Sequence, residues 1–190
     1  METKSHAALG RYLLERSLRA VTAAERRAFL FGCVEPDFNL ATYLRGIAHD
    51  RRPRGHHYAN TAPCIGRLAD RLERGRAAGA LYYFRLGQLM HYVTDSFTWP
   101  HNEGFTDSLR AHARYEQTLQ PLFCGALRSA DPIPAQRVRG PLSGWLAELH
   151  RKYLEAPGSM GRDCFFTLTA ALTAALRLGG RCAAELASAS

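Results

Sequence analysis

Apolar residues recur at helical spacing along nearly the whole chain, and stretches with the strict alternation of a β-strand are hard to find. The first periodic segment carries one apolar stripe, made of Ala8, Leu9, Tyr12 and Leu13. Ser5, just before that stripe, is the predicted N-cap. We therefore predict an all-α fold, a helical bundle in which residues 1–190 form a single domain with its own core.

Further helices follow from the same periodicity. Thr22 and Glu25 have the spacing of a capping box, which predicts that a second helix begins there and ends at Glu35 and Pro36. Residues 37–60 interrupt the pattern, and a structureless segment of that length inside a compact domain is usually functional. The periodicity predicts five more helices, over residues 61–76, 77–98, 106–127, 142–155 and 164–178.

The composition limits the class of protein. Of the 190 residues 46% are hydrophobic, and the net charge of +8 comes from 23 arginines with only two lysines. This arginine excess favours a coding bias, with an anionic partner such as phosphate, nucleic acid or a membrane surface as the alternative. No segment reaches the roughly 20 apolar residues that cross a bilayer. The N-terminus lacks the features of a signal peptide.

The cysteines indicate a reducing compartment. There are five of them, an odd number, and none is part of a Cys-x-x-Cys pair. This usage predicts reduced thiols, most of them buried, in a cytoplasmic protein. Peripheral association with a membrane stays open.

One stretch of 26 residues holds five side chains suited to metal binding, which are His91, Asp95, His101, His112 and Glu116. The first two are four residues apart, as are the last two, so each pair leaves one face of a helix and can chelate one ion. Trp99 and Pro100 end the first helix and leave the third ligand on a loop. Two such pairs with a histidine between them predict a multinuclear zinc site.

Each of these residues, taken alone, also has an interpretation that involves no metal. A single His-x-x-x-Asp pair is more often a surface pair, or a core histidine held by a carboxylate. Residues 81–90, however, are apolar enough to form a buried helix that leads into His91. Burying His91 and Asp95 there without a partner would cost several kcal/mol, so we expect another group to satisfy them.

Ordered motifs over about the first two thirds of the chain carry a family resemblance. They are Ser5-His-Ala-Ala-Leu-Gly-Arg-Tyr-Leu-Leu14, Phe31-Gly-Cys-Val-Glu-Pro-Asp37, Arg54-Gly-His-His-Tyr-Ala-Asn-Thr61, Leu86-Gly-Gln-Leu-Met-His-Tyr-Val-Thr-Asp95, Trp99-Pro-His-Asn102 and His112-Ala-Arg-Tyr-Glu116. With these motifs the chain resembles the zinc-dependent phospholipase C family. The resemblance implies an all-helical fold with a trinuclear zinc cluster in a cleft, a fold that single-strand-specific zinc nucleases share.

The resemblance also implies which side chains hold zinc. The implied ligands are Asp37, His56, His91 and Asp95 for a first zinc, and His101, His112 and Glu116 for a second. His6 would reach a third zinc, with Asp95 as a bridge. His57 is the alternative to His56, and His49 stays open as a further ligand. His150, late in a charged helix, is expected at the surface.

One departure from the family concerns the third zinc. In secreted members this ion is also bound by the amino group and carbonyl of a mature N-terminal tryptophan. Here His6 follows five residues with no leader, so we expect that ligand to be missing. The third site would then be weak, completed differently or empty. We also expect no C-terminal lipid-binding domain of the kind that some secreted members carry.

Such a site would support hydrolysis at phosphorus. Two or three zinc ions would bind the phosphodiester and activate a water molecule, with Asp37 as the candidate general base. Positive charge near the phosphate would come from Arg51, Arg52 and Arg54. The alternative for these arginines is a solvated loop face.

Three hypotheses about function follow. The leading one is a zinc-dependent phosphodiester hydrolase of phospholipase C type, which cleaves a glycerophospholipid or a related phosphodiester. The second is a nuclease or a small-molecule phosphoesterase on the same fold, for which Trp99 and Tyr58 would stack bases. A nucleic acid is thus a less favoured partner than a phospholipid. The third is a non-catalytic zinc-binding protein.

Overall fold

The computed structural model describes residues 1–18, 21–39, 57–75, 78–106, 108–129 and 135–187, with side chains up to residue 179. α-Helices make up most of this part of the chain and no strand occurs within it, which confirms the predicted all-α fold. In chain order they are α1 (Thr3–Arg16), α2 (Ala23–Phe38), α3 (Tyr58–Arg74), α4 (Ala80–Ser96), α5 (Leu109–Arg128), α6 (Leu142–Tyr153) and α7 (Met160–Ala187). A short 3-10 helix, Trp99–His101, follows α4.

The N-caps of the first two helices test two local predictions. At Thr22 the predicted capping box is present, because the hydroxyl accepts from the Glu25 amide while the Glu25 carboxylate accepts from the Thr22 amide at 2.8 Å. The predicted cap at Ser5 is wrong. Helix α1 starts three residues earlier with Glu2 as its N-cap, and Ser5 is buried within the first turn.

Two other helix ends extend beyond their predicted limits. Helix α2 continues through Pro36 to Phe38. A proline this close to the end of a helix removes only one amide donor. Few intrahelical hydrogen bonds follow it that it could disrupt. Helix α3 begins at Tyr58, before the predicted residue 61, because the Nδ1 atom of His57 accepts from the Ala59 amide and caps it.

Helix α4 lies at the centre of the bundle. It packs against α1, α2, α3 and α7, and its buried positions follow one another almost without interruption. A helix that is apolar all round must be buried on every side. Its last two turns also carry His91 and Asp95, so the core helix delivers these two polar side chains directly into the interior.

The tightest packing joins α2 and α4. A Cβ atom at Gly32 would overlap the carbonyl oxygen of Phe84, and one at Gly87 would overlap the carbonyl oxygen of Phe29. The two helices run in the same direction, since the Glu25 carboxylate accepts from the Gly79 amide at their N-terminal ends. This close approach brings the C-terminal ends of both helices, and the side chains that they carry, to the same place.

The remaining helices complete the layers around α4. Helix α5 packs on α1 and α7, and α6 packs on α3 and α7. None of the described helices combines the length and apolar character needed to cross a bilayer. Several residues singled out in the sequence lie outside the described part of the chain, namely His49, Arg51, Arg52, Arg54 and His56.

Candidate metal centre

Five helical elements meet at one cluster of imidazole and carboxylate groups. His6 comes from the first turns of α1, Asp37 from the last turn of α2, His91 and Asp95 from the end of α4, and His101 from the 3-10 helix. Helix α5 adds His112 and Glu116 from its first two turns. The structure thus brings seven of the eight residues named from the sequence together, and the eighth, His56, lies outside the described residues.

The first group consists of His6, His91 and Asp95. The two imidazole rings stack with their centroids 3.9 Å apart and an angle of 20° between their planes. The Nε2 atom of His6 lies 3.2 Å from Oδ1 of Asp95, and Nε2 of His91 lies 3.3 Å from Oδ2. Asp95 therefore directs one carboxylate oxygen toward each ring.

Asp37 adds a second carboxylate on the outer side of this group. Its Oδ1 atom lies 3.6 Å from Nε2 of His91. Its Oδ2 atom accepts a hydrogen bond of 2.6 Å from the hydroxyl of Thr3, at the start of α1. Since Thr3 engages one oxygen of the carboxylate, its contact leaves the other oxygen directed at the cluster.

A hydrogen bond to the backbone of α2 sets the orientation of the His91 ring. Its Nδ1 atom lies 2.9 Å from the backbone carbonyl oxygen of Cys33. A carbonyl oxygen can only accept, so Nδ1 must carry the proton. The lone pair of His91 is then on Nε2, which faces Asp37 and Asp95. Histidines that bind metals usually donate their other ring N–H to a carbonyl or carboxylate in this way.

The second group consists of His101, His112 and Glu116. Oε1 of Glu116 lies 3.0 Å from Nε2 of His101 and 2.8 Å from Nε2 of His112, so both rings converge on one oxygen. The two groups are adjacent, because His101 Nε2 is also 3.7 Å from Oδ1 of Asp95. In each group the donor atoms lie within 4.8 Å of one another.

The amino group of Met1 lies between the two groups. It is 2.7 Å from Oδ1 of Asp95, 2.8 Å from Oε1 of Glu116 and 2.9 Å from Nε2 of His101. Burial lowers the pKa of this amine, but the carboxylates of Asp95 and Glu116 outweigh it and raise the pKa to about 10. The turn before α1 directs this amine inward, between the carboxylates of Asp95 and Glu116.

The pKa values of Asp95 and Glu116 are shifted by the positive groups around them. Burial alone would raise the pKa of Asp95, but His101, the Met1 amine and the other two histidines hold it well below its usual range. Glu116 is similar, with its pKa lowered against the effect of burial by the Met1 amine, His101 and His112. Both groups therefore stay ionised at neutral pH, as metal ligands must.

His6 tests whether these residues suit a metal ion. It is almost fully buried, its Nδ1 atom has no hydrogen-bond partner, and its Nε2 atom faces only the carboxylate of Asp95, 3.2 Å away. Burial, reinforced by the neighbouring His91, lowers the pKa of His6 to about 4, so the ring is neutral at pH 7. A buried neutral imidazole with an unused lone pair beside a carboxylate fits a cation, and imidazole with carboxylate is a donor set that suits zinc.

Hydrogen bonds of Asn102 hold the 3-10 helix that carries His101. Asn102 donates to the carbonyl oxygens of Ser96 and Thr98, and its own side-chain oxygen lies 2.8 Å from Nε2 of His150. His150 stacks on Tyr58 with ring centroids 3.4 Å apart. The predicted surface position of His150 is therefore wrong, because residue 150 lies on the same buried face of α6 as Leu146 and Tyr153.

A buried carboxylate supports the other side of the centre. Asp163 of α7 accepts from the Trp99 amide at 3.0 Å and from the hydroxyls of Tyr115 and Tyr153 at 2.9 and 2.7 Å. Burial raises the pKa of Asp163. Through these bonds α7 fixes both the 3-10 helix and α5, and so fixes the relative position of the two histidines that they carry. Nothing in the local sequence around residue 163 predicted this role.

The burial of the ligands shows where the centre opens. His6, His91, Asp95 and His101 are buried, whereas Asp37, His112 and Glu116 are partly exposed. Solvent therefore reaches the cluster along the side formed by the end of α2 and the start of α5.

Comparison with known proteins agrees with this geometry. A family model described as zinc dependent phospholipase C matches residues 5–159, which is most of the chain. The matched part contains the residues of both groups from His6 onward. Neither the comparison with curated proteins nor the comparison with solved structures gave a significant match.

Proposed function

Because this chain belongs to the zinc-dependent phospholipase C family, we propose that it is a zinc-dependent phosphodiester hydrolase whose substrate is a glycerophospholipid. The observation that carries the proposal is the pair of adjacent donor groups joined by Asp95, which faces the buried ring of His6 at 3.2 Å. A structural zinc needs a single closed site with four ligands. Two groups that open to solvent on one side are better suited to catalysis.

The proposed ligand assignment uses these groups directly. We propose that Asp37, His91 and Asp95 hold a first ion together with His56, and that His101, His112 and Glu116 hold a second. A third ion would lie beside His6 and share Asp95.

The choice of His56 over His57 gains support from the cap of α3. The Nδ1 atom of His57 accepts from the Ala59 amide, so one ring nitrogen of His57 is already engaged in the backbone. The assignment stays a prediction that single alanine variants can separate.

The chemistry divides between the ions and the protein. Bound zinc ions would supply Lewis-acid charge for the phosphate oxygens and for the leaving oxygen, and would favour ionisation of water at neutral pH. Asp37 is the proposed general base, because Thr3 holds one of its oxygens and the other faces the cluster. The buried side chains of His91 and Asp95 keep their positions through Cys33 and through each other.

The aromatic residues favour the phospholipid over a nucleic acid. The ring of Trp99 packs in a cradle formed by Gly104 and Gly158, where any Cβ atom would overlap it. Tyr58 is stacked on His150. Both residues that the sequence offered as a platform for bases are thus occupied by contacts within the protein, and a nuclease would need such a platform to be free.

The first experiment measures zinc by elemental mass spectrometry in protein purified without chelator. We expect two or three zinc ions per chain, with loss of zinc in His91→Ala, in His112→Ala and in His56→Ala. His57→Ala should keep its zinc, as should the exposed control Glu148→Ala. A protein that takes up no zinc even when zinc is supplied would rule out the proposal.

The second experiment assays the same variants on phosphatidylcholine, on single-stranded DNA and on a chromogenic phosphodiester. We expect hydrolysis of the phospholipid, and a loss on the order of a hundredfold or more when a ligand is removed. Activity on DNA in place of the phospholipid would support the nuclease alternative. A zinc-loaded protein with no activity on any substrate would support the non-catalytic alternative.

A further inference from the structure

The paired helices α2 and α4 leave an apolar face uncovered. Phe31 and Phe38 of α2 are 57% and 70% exposed, and Leu81 of α4 is 58% exposed. The ring of Phe84, on α4, stacks on Phe31 with centroids 5.8 Å apart. We call the surface formed by these side chains of Phe31, Phe38, Leu81 and Phe84 the apolar face.

Helical spacing makes these residues one continuous surface. Phe31 and Phe38 are seven residues apart, so they lie on the same side of α2 with about 10 Å between them along its axis. Leu81 and Phe84 are three residues apart on α4, one turn from each other. The close contact at Gly32 and Gly87 holds the two helices side by side, so the face is preformed.

The apolar face leads to the metal centre. Phe38 follows Asp37, whose carboxylate lies 3.6 Å from His91 Nε2. Asp37 is also among the partly exposed ligands, on the side where the cluster opens. A surface that covered the apolar face would therefore reach the mouth of the centre.

Positive charge accompanies the apolar side chains. Arg27 lies one turn before Phe31 on α2, and Arg85 lies one turn after Leu81 on α4. Neither guanidinium has a carboxylate partner among the described residues. The carboxylate of Glu35 on α2 accepts hydrogen bonds from Asn39 at 2.6 Å and from Gln88 at 2.9 Å. The face thus combines exposed aromatic rings with arginines that pair with no carboxylate in the part of the chain that the structure describes.

We propose that the apolar face docks on the surface of a phospholipid bilayer, with its aromatic rings among the acyl chains and Arg27 and Arg85 on lipid phosphates. Large exposed apolar patches mark interaction sites, and arginine beside apolar side chains suits an anionic interface. A second copy of the chain fits less well, because a two-fold contact would bring the same arginines face to face. The proposal rests on the proposed function, since docking would present phospholipid to the metal centre.

The test is sedimentation with vesicles of phosphatidylcholine, with and without phosphatidylglycerol. We expect the wild-type protein to bind both, and to bind the anionic vesicles more tightly at low salt than at high salt. The double variant Phe31→Ser, Phe38→Ser should bind at least about tenfold more weakly. The matched control is Phe165→Ser, which changes a phenylalanine that is 50% exposed on α7. The charge variant Arg27→Gln, Arg85→Gln should lose only the preference for anionic vesicles.

The docking surface and the proposed hydrolase function can be tested separately. Hydrolysis is measured on a soluble substrate and on phospholipid in vesicles. We expect the double variant to keep wild-type activity on a soluble short-chain phosphodiester and to lose it on vesicles. Equal binding to vesicles by the wild-type protein and the double variant would overturn the docking proposal. A wild-type dimer that dissociates in the double variant would also overturn it. A wild type that binds vesicles through this face but cleaves no phosphodiester would leave the surface standing and remove the proposed function.

Discussion

At the scale of single residues, Asp95 connects the two halves of the metal centre. One of its oxygens faces His6, His101 and the Met1 amine, and the other faces His91. A carboxylate with two oxygens is the only side-chain type that can face two groups in this way while supplying negative charge to both. The neighbouring residues then decide how well each ligand is held.

Thr3 is expected to act through Asp37. Replacing Thr3 with valine removes the 2.6 Å hydrogen bond while keeping the shape of the side chain. We expect phosphodiesterase activity to fall by about ten- to a hundredfold, as is typical for the loss of an outer partner of a ligand. Thr3→Ser, which keeps the hydroxyl, should stay close to wild type. Equal activity of the valine and serine variants, at equal zinc content, would show that the bond does not matter.

His150 is expected to make stability depend on pH. Burial lowers the pKa of His150 from its ordinary value of 6.5 to about 4. The unfolded chain then binds this proton more readily, so the stability contributed by the neutral ring is complete above pH 6.5 and is lost as pH falls toward 4. The loss should amount to roughly 2–3 kcal/mol.

The measurement is urea unfolding of wild type and His150→Gln between pH 4 and pH 7. We expect the variant to be less stable at pH 7, because Asn102 loses its partner, but to change less with pH. The other buried histidines are common to both proteins, so the difference between the two slopes isolates His150. Parallel slopes would contradict the prediction.

At the scale of helices, the contact between α2 and α4 sets the position of the ligands. Gly32 and Gly87 let the two backbones approach, and this approach brings Asp37 beside His91. The supporting bond from His91 to the Cys33 carbonyl crosses the same interface. The geometry of the first donor group therefore depends on glycine at two positions that bear no functional group.

Gly87→Ala is expected to separate these helices. Its Cβ atom would meet the backbone of α2 at Phe29, which cannot move aside as a flexible side chain could. We expect a loss of about 3 kcal/mol in the free energy of unfolding, measured in urea, together with reduced zinc content. The control is Gly66→Ala in α3, where the new Cβ meets nothing within 4 Å. That change should be neutral or should stabilise by about 0.5–1 kcal/mol.

At the scale of the whole molecule, the metal centre joins elements that are far apart in the sequence. Its donors come from α1, α2, α4, the 3-10 helix and α5, between His6 and Glu116. Bound ions would therefore cross-link most of the bundle. The assignment of residues 1–190 to a single domain stays a prediction.

Removing zinc is expected to lower the thermal stability of the whole protein. An ion that binds only the folded state at about a thousand times its Kd contributes about 4 kcal/mol, which corresponds to about 10 °C in Tm for a chain of this size. Calorimetry with and without a chelator measures the shift. His91→Ala should show a much smaller shift than wild type. Coinciding Tm values for wild type with and without chelator would mean that bound metal does not stabilise the fold.

The sequence by itself determined the fold class, most helix positions and the chemistry of the donors. Periodicity suffices for helices because a buried stripe recurs every turn, and the pairs at residues 91 and 95, and at 112 and 116, lie within single helices. Spacing along one helix is a local property. It can be recognised without knowledge of any other element.

Only the tertiary structure decided what meets across elements. The Met1 amine beside Asp95 and Glu116, the Thr3 hydroxyl on Asp37, and His150 on Asn102 all join residues far apart in sequence. The same holds for Asp163, whose three donors come from three different parts of the chain. Such contacts depend on how helices cross, and that is set by backbone packing at positions such as Gly32 and Gly87, which periodicity does not reveal.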